Sequence, residues 1–198
     1  MEYKINIREL QKPDLLPVTE VIGKAYATNP EIVAIYGNPA AALRMRIAIA
    51  SMFKYLSGRV FVAELDGSVV GGMRIVRWPA CQSSSIKMVP SMLTSVRGLG
   101  SLVRAVKWQG AWKKRDPGKP HWHLSLIGVA TELQGKGIGS QMMQFYCDII
   151  DKDRIEAYHE TDRPENVPFY ERFGFSVVGE EMINGVKNWY MLRSNKPD

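Results

Sequence analysis

Between Leu126 and Met143 the chain reads LIGVATELQGKGIGSQMM, an apolar run that turns through Gly135, Gly137 and Gly139 into an amphipathic stretch. A strand that enters a helix through glycines can bring its backbone close to a ligand and turn free N–H groups outward at the helix N-terminus. The helix dipole and those donors form a ready site for pyrophosphate, and Lys136 adds a mobile positive charge. Two other phosphate motifs fail. A Walker loop requires G-x-x-x-x-G-K-[ST], but here Gly137 follows the lysine and Ala130 stands where the first glycine belongs. A dinucleotide fingerprint starting at Gly135 needs glycine at Ser140, and a place near the first strand of a parallel fold. On these residues alone, glycines that merely permit close helix–strand packing remain an alternative.

The segments around the junction give an α+β class. Ile5, Ile7 and Arg8 open a short strand by alternation. Asp14 is placed as the N-cap of a helix with Val18, Ile22 and Tyr26 on its apolar face, broken at Asn29-Pro30. Asn38-Pro39 starts a second helix, with Leu43, Ile47 and Ala50 as its apolar face. Val60 to Leu65 and Val69 to Val76 flank Asp66-Gly67-Ser68, a hairpin signal. From Pro79 to Pro120 a serine cluster, Ser83 to Ser85, leads into a helix over Met92 to Trp112 and then a basic, turn-forming run from Lys113. That stretch is too short for its own core. It is expected to be a helical insertion at 79–120 within one domain spanning 1–198.

Beyond it, His121 to Ala130 is a strand, and Gly135 to Asp151 a helix with Ile138, Met142, Phe145 and Ile149 on one face. Ile155 to Tyr158 is a further strand, and Pro164 to Arg172 a short helix stopped by Gly174. Phe175 to Gly179 and Val186 to Leu192 pair around Asn184-Gly185.

With 45% hydrophobic and 23% charged residues in 198, collagen, low-complexity and disordered classes are excluded. Lysine and arginine number 26 against 20 acids, and the resulting +6 favours anionic partners without choosing among them. Cys81 and Cys147 stand in unrelated contexts, with no CxxC and no clustered histidines. This argues against a disulfide scaffold and a cysteine zinc site, and suits a reducing, cytoplasmic setting with no metal. The N-terminus has no apolar signal region, and no stretch approaches ~20 uninterrupted apolar residues. No membrane partner is expected.

Two motifs in order carry a family resemblance. Gln134-Gly135-Lys136-Gly137-Ile138-Gly139 fits the pattern Q/R-x-x-G-x-G/A, and NVPFYERFGF from Asn166 fits N-x-x-F/Y-Y-x-x-x-G-F. In these contexts the chain resembles the GNAT superfamily of acyl-CoA-dependent N-acyltransferases. The likeness is strong over 121–193 and general before it. The HWHLSLIGV strand, the ETDRPENVPFYERFGF block and Trp189-Tyr190-Met191 are most similar to puromycin N-acetyltransferase and its relatives.

The resemblance implies a central mixed, mostly antiparallel sheet flanked by helices and splayed between two strands that bracket acetyl-CoA. Main-chain groups of Ile127 and Val129 would pair with the pantetheine arm, as a ligand strand does at a sheet edge. N–H groups of Gln134, Gly135, Lys136, Gly137, Ile138, Gly139 and Ser140 would hold the pyrophosphate. Asn166 would bond the amide arm, and Tyr170, one turn on and on the same face, would protonate the leaving thiolate. Phe169, Phe173 and Phe175 fall to the core, and Arg172 to the surface unless it reaches the 3′-phosphate.

The attacking amine must lose a proton, since a lysine-type amine is only about one part in two thousand neutral at pH 7. His123 stands on the strand where some family members carry a glutamate, and histidine titrates in the useful range. His121 shares its face, and Glu160 is a second candidate base. The leading function is direct acetyl transfer in a ternary complex to a small-molecule or peptide primary amine. The alternative is a catalytically silent CoA-binding regulatory module, which the retained Tyr170 disfavours. A nucleic-acid partner, suggested by Lys113, Lys114, Arg115 and Lys119 near Trp108, Trp112 and Trp122, lacks any recognition motif and is not expected. The acceptor, the acyl length and whether the chain forms a homodimer are open.

Overall fold

The computed structural model describes residues 3–37, 41–82 and 98–195. Its strands are β1 (Asn6–Glu9), β2 (Arg59–Leu65), β3 (Ser68–Arg77), β4 (His121–Val129), β5 (Glu156–Thr161), β6 (Ser176–Ile183) and β7 (Val186–Arg193). They form one sheet in the order β1-β2-β3-β4-β5-β7-β6, in which only β4 and β5 run parallel. The helices are α1 (Leu15–Ala25), α2 (Pro30–Tyr36), α3 (Ala41–Tyr55), α4 (Gly98–Arg115), α5 (Ile138–Asp153) and α6 (Asn166–Glu171). The mixed, mostly antiparallel α+β sheet implied by the motifs is present. Among the described residues, no helix is long and apolar enough to cross a membrane.

Helices cover both faces. Val18 and Ile22 of α1 and Met45 and Ile49 of α3 pack with Val62 and Leu126 on one side. Ile138, Met142 and Tyr146 of α5 pack with Phe61, Ala63, Met73, Ile75 and Leu124 on the other. Alternation along β2 sends Phe61 and Ala63 one way and Val62 the other, as a two-sided strand requires. At Gly72 the α1 helix comes so close that an added Cβ would overlap Val18 and lie 2.8 Å from Ile22 Cδ1. Gly72→Ala is therefore expected to cost about 1–3 kcal/mol by overpacking, read as a lower denaturation midpoint at unchanged m-value.

Two features of β4 shape the site. The register with β3 slips between Leu126 and Leu124, leaving Ser125 as a bulged residue. Leu124 and Leu126 consequently face opposite cores although they are two apart. Further along, β4 and β5 pair only over His121–His123 and Glu156–Tyr158, and then part. Beyond that point β4 follows β3 to Val129, while β5 follows β7 to Thr161. The sheet is splayed there.

Both tight hairpins form where the sequence places them, with Asp66 and Gly67 at φ 49° and 77° and Asn184 and Gly185 at φ 49° and 82°. These are the left-handed pairs that two-residue turns need. Gly174, at φ 83°, ends the short helix as expected.

Several local expectations change. Asp14 stands at the N-cap position of α1 as expected, but its side chain makes no cap bond; its carboxylate accepts from the Gln11 N–H at 2.8 Å and from Arg8 at 2.6 Å. Asn29-Pro30 is not merely a break, because Asn29 caps α2 through Ile32 N–H with Pro30 at the first helical position. On α3 the buried face is Met45 and Ile49, and Leu43 is 60% exposed. On α5 the expected Ile138 and Met142 are buried with Met143, Tyr146, Cys147 and Ile150, while the expected Phe145 and Ile149 are partly buried against the same core. Lys113, Lys114 and Arg115 belong to the last turn of α4, where cations complement the helix dipole, so the basic loop is shorter than expected. The Asn38-Pro39 helix start, the Ser83 to Ser85 cluster and the segment from Met92 lie outside the described residues.

Candidate active site

The splay opens a cavity of about 640 Å³ between β4 and β5, closed by α1, α2, the α5 entry and α6. Of the residues expected to hold the cofactor, Ile127, Val129, Gln134, Gly135, Gly137, Gly139, Ser140 and Asn166 line it, as does Tyr170. Lys136 and Ile138 do not. The Lys136 ammonium sits over the Tyr3 ring, 5.6 Å from its centroid, and the Ile138 side chain is buried in the core.

The α5 entry has the geometry of a helix end that can receive an anion. Gly135 and Gly137 take φ 75° and 82°, and Gly137, at the N-cap position, brings no side chain to cap the helix. The first-turn N–H groups therefore lack the side-chain acceptor that usually quenches them. Arg172 is exposed, as expected, and also lines the cavity, with its guanidinium 5.3 Å from the Phe169 ring centroid.

The β4 edge facing the opening is already engaged by the chain itself. Ala130 N–H donates to Val70 on the β3 side, so the odd-numbered neighbours Ile127 and Val129 turn their polar groups toward β5. The Tyr26 hydroxyl donates to the Ile127 carbonyl at 3.0 Å and accepts from its N–H at 3.4 Å. Gln134 Nε2 donates to the Val129 carbonyl at 3.1 Å. A ligand strand laid here takes over bonds that Tyr26 and Gln134 now make. Tyr26 was expected only as part of the apolar face of α1. Its hydroxyl role depends on the splay, which no local pattern of α1 reports.

Tyr170 and Asn166 project from α6 on one face. Tyr170 is 6% exposed, its ring packed 4.0 Å from His159 and against Phe169 and Phe175. Burial, with the Asp162 charge adding to it, raises the phenol well above its ordinary pKa, so it holds its proton throughout the working range. Asn166 Nδ2 donates to Thr161 Oγ1 at 3.3 Å, fixing the amide at the end of β5. Behind Tyr170, His159 is 1% exposed, and among the described residues neither ring nitrogen has a hydrogen-bond partner. Burial, and the His123 charge beyond it, hold its pKa down near about 3, so its ring is neutral packing.

His123 does not line the cavity; Glu160 does. The two candidate bases are joined by a 2.9 Å bond between His123 Nε2 and Glu160 Oε2. Burial alone would push His123 down, but the Glu160 carboxylate and the Cys81 sulfur outweigh it and raise the pKa to about 10. His123 is thus an imidazolium at neutral pH, not a free base.

Two further carboxyl groups line the same space, and neither was picked out in the sequence. Asp162 accepts from Asn29 Nδ2 at 2.8 Å and from the Glu31 N–H at 2.6 Å, tying the start of α2 to the end of β5. Glu31 is pushed well above the ordinary carboxylate range by burial and by the charges of Asp162 and Glu160. Asp162 is raised as well, by burial that its hydrogen bonds only partly offset. With Glu160, the cavity carries three crowded carboxyl groups beside a glycine-rich helix N-terminus.

The acetyltransferase (GNAT) family model matches residues 29–175. An uncharacterized N-acetyltransferase of Schizosaccharomyces pombe is 35% identical over 84 residues, which is 42% of this chain and 30% of that protein. The match thus spans under a third of that relative's length. The crystal structure of histone acetyltransferase HPA2 and related acetyltransferase from Corynebacterium glutamicum superposes with a TM-score of 0.75 at 16% identity, covering 98% of both chains. That of yncA from Salmonella typhimurium, solved with its cofactor acetyl-CoA, gives 0.60 at 16% identity over 98% and 96%. At these identities the structural likeness is one of fold. The family match extends over most of the chain, from α2 through the splay and the α5 entry to Phe175, and the chain belongs to the acetyltransferase (GNAT) family.

Proposed function

We propose that this chain transfers the acetyl group of acetyl-CoA directly to a primary amine that arrives as a cation. The observation that carries the reading is the lining of one cavity by both an anion-ready helix N-terminus and the acidic trio Glu31, Glu160 and Asp162. The first suits a pyrophosphate, the second an ammonium. In this reading the whole chain acts as one domain, with α4 carried on the insertion at 79–120.

The residues present fit acetyl-CoA as co-substrate, which would supply a thioester-activated acetyl group. The N–H groups of Gln134, Gly135, Gly137, Gly139 and Ser140 would hold its pyrophosphate, and Ile127, Val129 and Asn166 its amide arm. Crowded carboxyl groups are relieved by a cation, so the trio draws the ammonium in and orients it. The amine then gives a proton to the Glu160–His123 pair, which can take one only after His123 has lost its own. As the carbon–sulfur bond breaks, Tyr170 gives its hydroxyl proton to the departing sulfur and recovers the second proton that the newly acylated nitrogen sheds, so the phenol is restored. Neither cysteine is needed as a nucleophile.

A thiol-release assay with acetyl-CoA and a panel of polyamines, amino-nucleoside antibiotics and peptide amines tests the reading. Release that requires a cationic amine supports it, and none with any amine in the panel argues for a CoA-binding module instead. Glu31→Gln is expected to raise KM for the amine roughly tenfold, the effect of one lost charge at about 1–2 kcal/mol, with KM for acetyl-CoA little changed. The same change should raise Tm at pH 8. A carboxyl whose folded pKa is raised contributes stability at low pH that is lost as pH rises past the ordinary carboxylate range, and the amide escapes that loss. Equal Tm values for the two proteins at pH 8 would contradict the crowding.

The pH profile tests the base. With the Glu160 carboxylate holding His123 above the ordinary imidazole range, kcat/KM should climb as pH rises past neutrality, and His123→Gln should flatten the climb. A climb that survives this change and shifts with the pKa of the substrate amine would assign it to the amine.

A further inference from the structure

Away from the cavity wall, three side chains from separate segments converge on one point. Cys81 lies in the turn Ala80–Gln82 after β3, Asp116 directly follows α4, and His121 is the first residue of β4. Cys81 Sγ is 3.7 Å from Asp116 Oδ2 and 3.7 Å from His121 Nε2, and that nitrogen is 3.5 Å from the same carboxylate oxygen. We propose that these three residues bind a zinc-class divalent cation, which fastens the end of α4 to the sheet.

The triangle has the dimensions of one face of a tetrahedral zinc site. With Zn–S near 2.3 Å and Zn–N and Zn–O near 2.1 Å, ligand atoms stand about 3.6 Å apart when sulfur is one of them, and about 3.4 Å otherwise. A soft thiolate, an imidazole and a carboxylate are also the donor mixture that zinc accepts and magnesium or calcium does not. The surroundings aim each donor inward. His121 Nδ1 lies 2.7 Å from the Lys119 carbonyl, which fixes the proton on Nδ1 and leaves the Nε2 lone pair toward the other two groups. Asp116 Oδ1 accepts from the Gly118 N–H at 2.8 Å, leaving Oδ2 for the cluster. The His121 side chain is fully buried and that of Asp116 is 7% exposed, so these are sheltered ligands.

Two other uses of a Cys–His–Asp set fit less well. A nucleophile triad places the carboxylate on the ring nitrogen opposite the one that faces the sulfur. Here sulfur and carboxylate both address Nε2, and the opposite nitrogen is spent on a backbone carbonyl. An imidazolium shared between a thiolate and a carboxylate would satisfy the charges, but one N–H cannot point along two directions at once. A cation at the common point satisfies all three. The sequence gives no hint of this, because ligand spacing rules look for neighbours, and these residues come from the two ends of an insertion and the strand beyond it.

The test uses the untagged full chain, stripped with a chelator, returned to reducing metal-free buffer and titrated with Co(II) and then Zn(II). The expected result is one equivalent bound per chain, a thiolate-to-cobalt charge-transfer band that zinc displaces, and a rise in Tm with zinc. Cys81→Ser should remove the band and weaken zinc binding at least as much as the roughly 10–100-fold that loss of an outer-shell partner costs. Asp116→Asn, a milder change, should retain the band and bind more weakly. Failure of the stripped, folded chain to bind either metal would overturn the proposal and leave an ion-paired trio. So would a band that persists in Cys81→Ser, which would place the metal on Cys147.

Discussion

Gly139→Asp is expected to abolish acetyl-CoA binding while the chain stays folded. Gly139 lies in the first turn of α5 with no positive φ, and an added Cβ meets Phe169 Cζ at 3.7 Å and Val129 Cγ2 at 3.9 Å, ordinary contacts. The backbone therefore has no objection to a side chain there, unlike Gly137 at φ 82°. An acidic residue in the first turn of a helix is stabilising by about 0.3–1 kcal/mol, so Tm should hold or rise. A pyrophosphate at the same helix end would meet a like charge. At roughly 5 Å and an effective dielectric near 20, each such pair costs about 3 kcal/mol, or more than a hundredfold in affinity. Calorimetric titration of the folded variant decides the matter, with Gly139→Asn as the uncharged control. Undiminished binding by Gly139→Asp would remove pyrophosphate from the α5 entry.

Tyr170→Phe tests the opposite end of the proposed chemistry. The change deletes one oxygen and keeps the ring on His159, Phe169 and Phe175, so folding should be almost untouched. The buried phenol keeps its proton at every usable pH, which suits a donor and excludes it as a base. Turnover should fall at least tenfold, and by ~10²–10⁴ if proton donation to the thiolate is fully lost, with acetyl-CoA affinity unchanged. Single-turnover kinetics isolate the chemical step. Equal rates for the two proteins in that measurement would mean that solvent protonates the sulfur.

Much of this architecture is legible in the sequence because it is set by local rules. Asp66-Gly67 and Asn184-Gly185 can adopt two successive positive φ angles, so both hairpins announce themselves. The glycines of the α5 entry and the Asn166-to-Tyr170 spacing do the same for half of the cavity's lining. What the sequence conceals is set by distant partners. The capping Asn29 is recognisable locally, yet its amide donates to Asp162, and the Glu31–Asp162 contact joins α2 to β5 across most of the chain. The Ser125 bulge has no glycine to mark it, and it exchanges the faces that a period-two count assigns to everything beyond it. His123 looks like a base until Glu160 is placed beside it. The carboxylate then holds the proton on the His123 ring well past the ordinary imidazole range.

A splayed sheet has a hazard that a closed one lacks. Where β4 and β5 part, the polar groups of Ile127 and Val129 form a short run of unpaired ladder, the kind of edge that templates a foreign strand and leads to association between chains. Tyr26 and Gln134 sit on that run as removable blunts. A hydroxyl and a primary amide satisfy the edge but cannot extend it, since neither offers the next residue of a strand. The fold can therefore part its sheet at β4 and β5 without offering the edge to another polypeptide.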